Sequence, residues 1–539
     1  MKSNLLRVSV TALMGGVLAL PAHAAIELYM DKKTKQIYAE PGPGRIRMGT
    51  FEQVDETDSK LARKKSELEE LSKKLDQQKA EIAKAQAEAA KVASTESKKE
   101  KGQAKVFLSG DKGLEIESAD GNFKASMGGR LQLASQVNWH QNNFESLEAT
   151  PYRLNDGTTF RRARIFTEGT FYKDYEWRFE YDFVRGSGVT STGITDAFLK
   201  VKALEPVEIV FGQFKEPFSL ESVTSNRYTT FMERSLPNNA FVEFANPYLI
   251  GAEVDGRGNL FEKAWTGRLA FQTEPVGPGN PNNSTTSGNS NRNNYAGNTG
   301  YGVTGRLTYL PLEFSHDEIL HTGVSLGYRT PNNNITYAQG VPNLRNGGMS
   351  FGSQPDTSVD RSSFWSTGNL TDPKNGKILD HFTRINAELA GVYGPFSLQG
   401  EYFRTQISGD GYGSNDLLQG YYTFGSFFLT GESRPYDKKR GAFGRVVPKA
   451  NFDFSGQSWG AWEIAYRWDY LDMNSEHING GRGQIGTLAL NWYINPRVKW
   501  MNNYVHIFGL DQNKNAPAGL YSLNGANNDV FMSGIWMDW

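Results

Sequence analysis

The sequence predicts an all-β transmembrane barrel of about 16 antiparallel strands, preceded by an N-terminal helical coiled-coil segment. Three observations carry that class. In Tyr175-Glu176-Trp177-Arg178-Phe179-Glu180-Tyr181-Asp182-Phe183 every odd position is aromatic and every even position charged. A period of two is strand geometry, and an aromatic row backed by a charged row suits a wall between lipid and water. The pattern returns late in the chain, where Trp462, Ile464, Tyr466, Trp468 and Tyr470 alternate with Glu463, Arg467 and Asp469. Finally, Phe531, Ser533, Ile535, Met537 and Trp539 share one parity and finish on an aromatic, the usual ending of an outer-membrane barrel.

Composition agrees with this class. With 57 Gly, 12% aromatic and only 38% hydrophobic residues, the chain does not describe a large helical core. A mean hydropathy of -0.54 is no objection, because barrel strands alternate apolar with polar residues and their hydropathy averages out. A formal net charge of -1 with scattered basic residues gives no case for nucleic acid. The absence of Cys excludes disulfides, thiolate metal sites and Cys nucleophiles.

In chain order, Lys2 and Arg7 precede an apolar run that ends in Ala22-His23-Ala24, which reads as a secretory signal peptide over residues 1–24. Residues 25–50 form a short N-terminal segment with a hairpin, Ile26 to Tyr29 and Gln36 to Ala39, before the breaker Pro41-Gly42-Pro43-Gly44. Residues 51–95 are rich in Ala, Glu, Lys and Gln. Val54, Leu61, Leu68, Leu75 and Ile82 fall seven apart, one side of a coiled-coil seam. The companion positions Thr57, Lys64, Leu71, Gln78, Ala85 and Val92 are mixed, so the number of helices in the coil stays open. Residues 96–105 read as a linker. Residues 106–539 then repeat short alternating runs; at roughly ten residues per strand plus connections they make about sixteen strands. Tight corners such as Leu204-Glu205-Pro206 alternate with long polar stretches such as Thr330 to Lys374, so short turns are expected on one rim and long loops on the other.

Arg162 and Arg164 share a parity opposite Ala163, Ile165 and Thr167, which turns two guanidiniums into the lumen. They have two readings. One is pairing with Glu176, Glu180, Asp182 or Asp196 across the wall; the other is an electropositive constriction for anions. Both can hold together.

The run FRRARIFTEGTFYKDYEWRFEYDF, the Asp196 strand, GQFKEPFSLESVTSNRYTTFMERS, WGAWEIAYRWDYLDM and LALNWYINP resemble the phosphate-selective porin O and P family, in order and spacing, from about Val106 to Trp539. The resemblance implies a trimer of sixteen-stranded barrels in the outer membrane, each with its own water-filled pore. It also implies a loop folded inward over Lys215 to Arg234. Carried over by position, it assigns lumenal roles to Arg130, Arg161, Arg162, Asp196 and Arg234. Arg164 and Lys215 stand where family members carry aromatics, and Arg227 lies nearby. Where phosphate-selective members place lysines, this chain has Glu176, Ser222, Asp437 and Val447, and of the family's ladder of loop arginines only Arg345 is matched.

The expected function is passive diffusion of phosphate or related small anions. The alternatives are a porin of general selectivity, or a barrel that mainly anchors a periplasmic coiled-coil tether contacting the cell wall or a periplasmic partner. Of the seven His residues only His506 is placed on a strand, and no Ser or Asp set has a diagnostic spacing, so an enzyme is not expected. No metal or cofactor site is expected. Asp120 and Asp156 sit in Gly or Asn turns where they cap backbone.

Overall fold

The computed structural model describes residues 26–51, helical positions 73–74, 77–81 and 84, and then 104–109, 113–139, 154–184, 193–243, 245, 247–274, 300–338, 340–511 and 527–539. The chain divides into two units, 1–99 and 100–539. The signal segment, most of the coiled-coil stretch and most of the linker lie outside the described residues. In the first unit Ile26–Asp31 pairs with Ile37–Tyr38, Tyr29 facing Tyr38, which is the hairpin read from the sequence. A third strand, Arg45–Phe51, joins its other edge beyond the Pro-Gly breaker. Arg45 lies 3.5 Å over the Tyr38 ring.

The second unit is a closed antiparallel barrel. Among the described residues its wall has 16 strands. The first eight are β1 (Phe123–Trp139), β2 (Gly157–Phe171), β3 (Tyr175–Asp182), β4 (Ile194–Val201), β5 (Val207–Lys215), β6 (Tyr248–Leu260), β7 (Lys263–Thr273) and β8 (Tyr301–Ser315). The rest are β9 (Glu318–Arg329), β10 (Ile378–Tyr393), β11 (Phe396–Asp410), β12 (Leu417–Phe428), β13 (Ala461–Asn474), β14 (Asn479–Asn495), β15 (Val498–Asp511) and β16 (Asn528–Asp538). Each pairs with its sequence neighbours, and β16 closes on β1 from Asp529 opposite Trp139 to Asp538 opposite Arg130. Below that register a hairpin, Lys105–Ser109 and Gly113–Glu117, continues along β1, with Leu114 opposite Met127. No helix among the described residues is long and apolar enough to cross a membrane; this wall crosses with strands.

The alternation in sequence becomes two faces. On β3, Glu180 and Asp182 are buried while Tyr175 and Phe179 are exposed, and on β13 Glu463, Arg467 and Asp469 are buried behind the outward Ile464 and Tyr466. Closure depends on two glycines of β1. The backbone of Gly129 exchanges hydrogen bonds with Trp539, each 3.1 Å. A Cβ on Gly129 would stand 2.4 Å from the Trp539 ring, and one on Gly128 would stand 2.6 Å from Phe166. Only a residue without a side chain admits these rings.

The rims depart from expectation in two ways: the connections 411–416 and 475–478 are short although they lie on the long-loop rim, and one long connection lies on the other rim. The strand ends joined by the long connections 140–156, 183–193, 216–247, 274–300, 330–377 and 512–527 share a rim, and the opposite rim has short turns such as 172–174 and 261–262. The connection 429–460 between β12 and β13, however, is long and lies on the short-turn side.

Candidate functional site

Three inserts narrow the lumen. The connection 216–247 leaves β5, forms a short helix at Leu220–Val223, and buries Phe218, Leu220, Leu236, Ala240, Phe241 and Val242. Its alternation of apolar residues with Ser and Asn lets it pack inside a barrel, with polar groups bonded to the wall or, as Ser235 to Glu221 and Asn238 to Ser219, within the insert itself. On the far wall, Glu401 of β11 accepts from the Leu220 and Glu221 amides at 3.1 and 2.7 Å. Arg384 of β10 grips Glu216 with both terminal nitrogens, at 2.9 and 2.6 Å. Asn491 of β14 and Lys499 of β15 donate to the Thr230 and Thr229 carbonyls. Connection 330–377 adds the buried Phe351, Asp356, Phe364 and Trp365. Connection 429–460 enters from the short-turn side, where Arg434 lies 3.7 Å over Phe443 and donates to Gln399 at 3.0 Å.

The remaining space holds a wide vestibule toward the long-loop rim, with a volume of about 520 Å³. Arg161, Arg162, Arg164 and Arg361 line it against the carboxylates of Asp182 and Glu243. Toward the short-turn rim lies a cavity of about 30 Å³, lined by Arg130, Arg227, Arg445, Arg497 and Lys499 against Asp538 alone. A single water needs about 10–15 Å³ of such space, so the cavity admits a few waters at most. Both spaces therefore have more fixed cations than anions.

The residues expected from sequence sort into three groups. Arg130, Arg164 and Arg227 converge on Glu180 at 2.5, 2.7 and 4.0 Å. Arg164 also holds Asp182 at 2.7 Å, while Asp196 stands 3.6 Å from Arg178. Arg161 and Arg162 face the vestibule together, which simple alternation forbids. A β-bulge explains it: Gln132 faces Arg162 and Leu133 faces Phe160, so Arg161 is the extra residue. Arg161 makes a bidentate pair with Glu233 at 2.6 and 3.0 Å. Arg162 donates to Gln132 at 2.9 Å and, among the described residues, forms no ion pair. The last two, Lys215 and Arg234, share Glu243 at 3.0 and 2.8 Å, and Arg234 also donates to the carbonyls of Glu221 and Thr224. They brace the insert at its root.

Loop charges are set by this pairing. Burial by itself would raise the Glu233 carboxyl, but Arg161 and Arg361 overcome it and hold the group at about 2. Arg227 is pushed down to about 10 by burial and by Arg130 and Arg178, which leaves it charged at neutral pH. Glu243 is held well below the carboxylate range: burial opposes ionisation, and Lys215 with Arg234 reverses that.

Positions where lysines were the reference turn out peripheral or structural. Glu176 pairs with Lys202 at 3.7 Å, Ser222 is buried in the insert, Asp437 faces Arg440 at 3.6 Å, and Val447 is exposed. Arg345 belongs to the strand Val341–Gly347 of the long connection. Sequence reading missed Arg178, which reaches Glu180 at 2.7 Å, although its parity with Glu180 and Asp182 on β3 was visible. It also missed His321 of β9, buried between Glu388 at 3.0 Å and the Tyr436 hydroxyl at 2.7 Å, and His381 of β10; His506 is thus not the sole strand histidine.

Residues 131–520 match the family model for phosphate-selective porin O and P. Porin O of Pseudomonas aeruginosa is 27% identical over 406 residues, covering 73% of this chain and 85% of that protein. Among solved structures, the outer membrane channel DcaP of Acinetobacter baumannii aligns with a TM-score of 0.39 at 11% identity, over 80% of this chain and 99% of that one. OmpF of Salmonella typhi aligns with a TM-score of 0.41 at 14% identity, over 78% and 98%.

Proposed function

The chain belongs to the phosphate-selective porin O and P family, an outer-membrane porin and no enzyme, and on that premise we propose that its pore passes small oxyanions of the phosphate class by passive diffusion through an arginine-lined constriction. Arg162 carries this reading. Its guanidinium is buried at the vestibule wall, between Arg161 and Arg164, with no carboxylate partner among the described residues, so its charge is open to a permeating ion. Where strict phosphate-selective members place lysines this chain has Glu176, Ser222, Asp437 and Val447, so discrimination of phosphate from other anions is weaker than in those members.

Planar bilayers test the reading. The unmodified pore is expected to show a reversal potential of anion sign in a salt gradient and block by added phosphate. R162Q keeps a hydrogen-bonding group and removes the charge; it is expected to move the reversal potential toward cations and to weaken phosphate block about tenfold, about 1.4 kcal/mol. Cation preference in the unmodified pore would refute the assignment. A folded barrel that passes no small solute in liposome swelling would favour the anchor reading, which the 30 Å³ cavity makes a real alternative.

The assembly we propose is a homotrimer, with residues 51–92 as parallel helices on the periplasmic side. Residues ahead of the first strand stay on the side from which a barrel inserts, and a three-fold axis brings three seams together. Deleting 51–92 is expected to leave conductance intact and lower the temperature of trimer dissociation. Unchanged dissociation would assign the helix to some other partner, such as the cell wall.

A further inference from the structure

We propose that the Glu180 carboxylate is a tethered anion: it occupies the position in the constriction that a permeating oxyanion must take, and by competing for that position it sets how tightly the pore holds its solute. The inference rests on the anion-channel reading and adds a residue that no lysine or arginine count reveals.

Glu180 is fully buried on the lumenal face of β3, two residues before its end at Asp182. Its Oε1 accepts from Arg164 at 2.7 Å and from the Thr195 hydroxyl at 3.0 Å. Its Oε2 accepts from Arg130 at 2.5 Å and Arg178 at 2.7 Å, with Arg227 at 4.0 Å. Donors from β1, β2, β3, β4 and the 216–247 insert thus converge on one carboxylate, as they would on a free oxyanion.

The carboxylate also stands on the partition between the two spaces. Arg164 lines the vestibule, Arg130 and Arg227 line the smaller cavity, and all three face Glu180. Any anion handed from Arg164 to Arg130 must contend with it.

The donor set is not exhausted by Glu180. Nε of Arg130 and Nε of Arg227 are buried with no acceptor among the described residues. Arg164 and Arg178 have other carboxylates, Asp182 and Glu168. Among the described residues Arg130 has Glu180 as its one ion-pair partner, its other terminal nitrogen going to Asn226. Neutralising Glu180 therefore removes the carboxylate from Arg130 while its bond to Asn226 stays, and the two open Nε donors give an incoming oxygen a place to start.

The test compares E180Q with D182N in planar bilayers. Both remove one carboxylate from the same face of β3, but Asp182 is held by Arg164 on the vestibule side. With chloride as the carried ion and inorganic phosphate as the probe, E180Q is expected to strengthen phosphate block about tenfold and to reduce maximal chloride conductance. D182N is expected to change block far less. Equal shifts in both variants would mean a general field effect and would overturn the proposal, as would E180Q that assembles normally with unchanged block. If E180Q does not assemble, E180D decides: retracting the carboxylate by one methylene is expected to strengthen block in the same direction, and unchanged block overturns the proposal. Cation preference in the unmodified pore is a separate result, the failure of the anion-channel reading itself.

Discussion

Glu216→Ala is expected to widen the pore and destabilise the barrel by about 3–5 kcal/mol, the cost of leaving one partner of a buried ion pair alone. Arg384 and Glu216 are each about 1% exposed in their side chains. Besides its two bonds to Glu216, the guanidinium donates to the Phe241 carbonyl at 2.9 Å and lies 4.6 Å over Phe218. One cation on β10 therefore fixes both ends of the insert's apolar segment. With Glu216 gone, Arg384 is a buried charge whose remaining partners are a carbonyl and ring faces, and the insert loses its hold where it leaves β5. Single-channel conductance should rise, and the temperature at which the folded band converts on heating should fall. A pore with unchanged conductance and conversion temperature would show that the apolar packing of Phe218, Leu220 and Phe241 holds the insert unaided. The double variant E216L/R384M is expected to be more stable than either single variant, because an apolar pair of similar volume carries no desolvation cost.

The wall was legible because its signal is local. The parity of Tyr175 to Phe183 and of Trp462 to Tyr470 needs only neighbouring residues, and the buried and exposed faces of β3 and β13 follow it. What fills the wall was not legible for the opposite reason. Glu216 and Arg384 are 168 residues apart, and Arg467 meets Asp356 across 111; no periodicity links such pairs. The bulge at Arg161 hid in plain alternation, since parity alone turns Arg161 toward lipid. The 429–460 connection has neither the period of a strand nor the brevity of a turn, so nothing in its sequence announced that Arg434 and Tyr436 would reach the lumen from the short-turn rim. Pairing of Arg164 with Glu180 and Asp182 was among the readings open from sequence, and the structure makes both pairs. The convergence of Arg130, Arg178 and Arg227 on the same Glu180 was not legible, because cross-strand register places Glu180 opposite Phe166 and beside Arg130 only once three strands are aligned.

These pairings also shift the functional weight within the arginine set. Charge held by a carboxylate attracts a passing anion less than charge left over, so Lys215 and Arg234, both committed to Glu243, act as braces. Arg162 has no such commitment among the described residues. Selectivity should therefore track Arg162 and the balance at Glu180 more closely than the number of basic residues in the lumen.

Arg467→Met is expected to destabilise the barrel at neutral pH by about 3–5 kcal/mol, and to do so less as the pH falls. Arg467 of β13 is 1% exposed and stands between Asp469 at 2.8 Å, Asp356 of connection 330–377, and Glu221 of connection 216–247 at 3.4 Å. It also donates to the Glu233 carbonyl at 3.0 Å, so one guanidinium ties two inserts to the wall. Methionine keeps much of the volume over Phe231 but leaves three carboxylates facing one another. The pH dependence follows from the loop groups. Burial raises both Glu221 and Asp356 above the usual carboxylate range despite the pull of Arg467. A raised acid stabilises the fold below its unfolded value, and that contribution is lost as pH rises through the folded value. Without Arg467 the pull toward ionisation is gone, the raised values go higher still, and the cost concentrates at neutral pH and above. Glu233 has the opposite sign: held at about 2, it stabilises above the ordinary carboxylate value of 4.5 and loses that contribution as pH falls toward 2. Comparison between pH 5 and pH 8 therefore isolates the first effect. Heat conversion of the folded band measured across that window should show the gap between R467M and the parent narrowing steadily on acidification. A gap of constant size would mean that lost packing on Phe231, rather than unbalanced carboxylates, accounts for the damage.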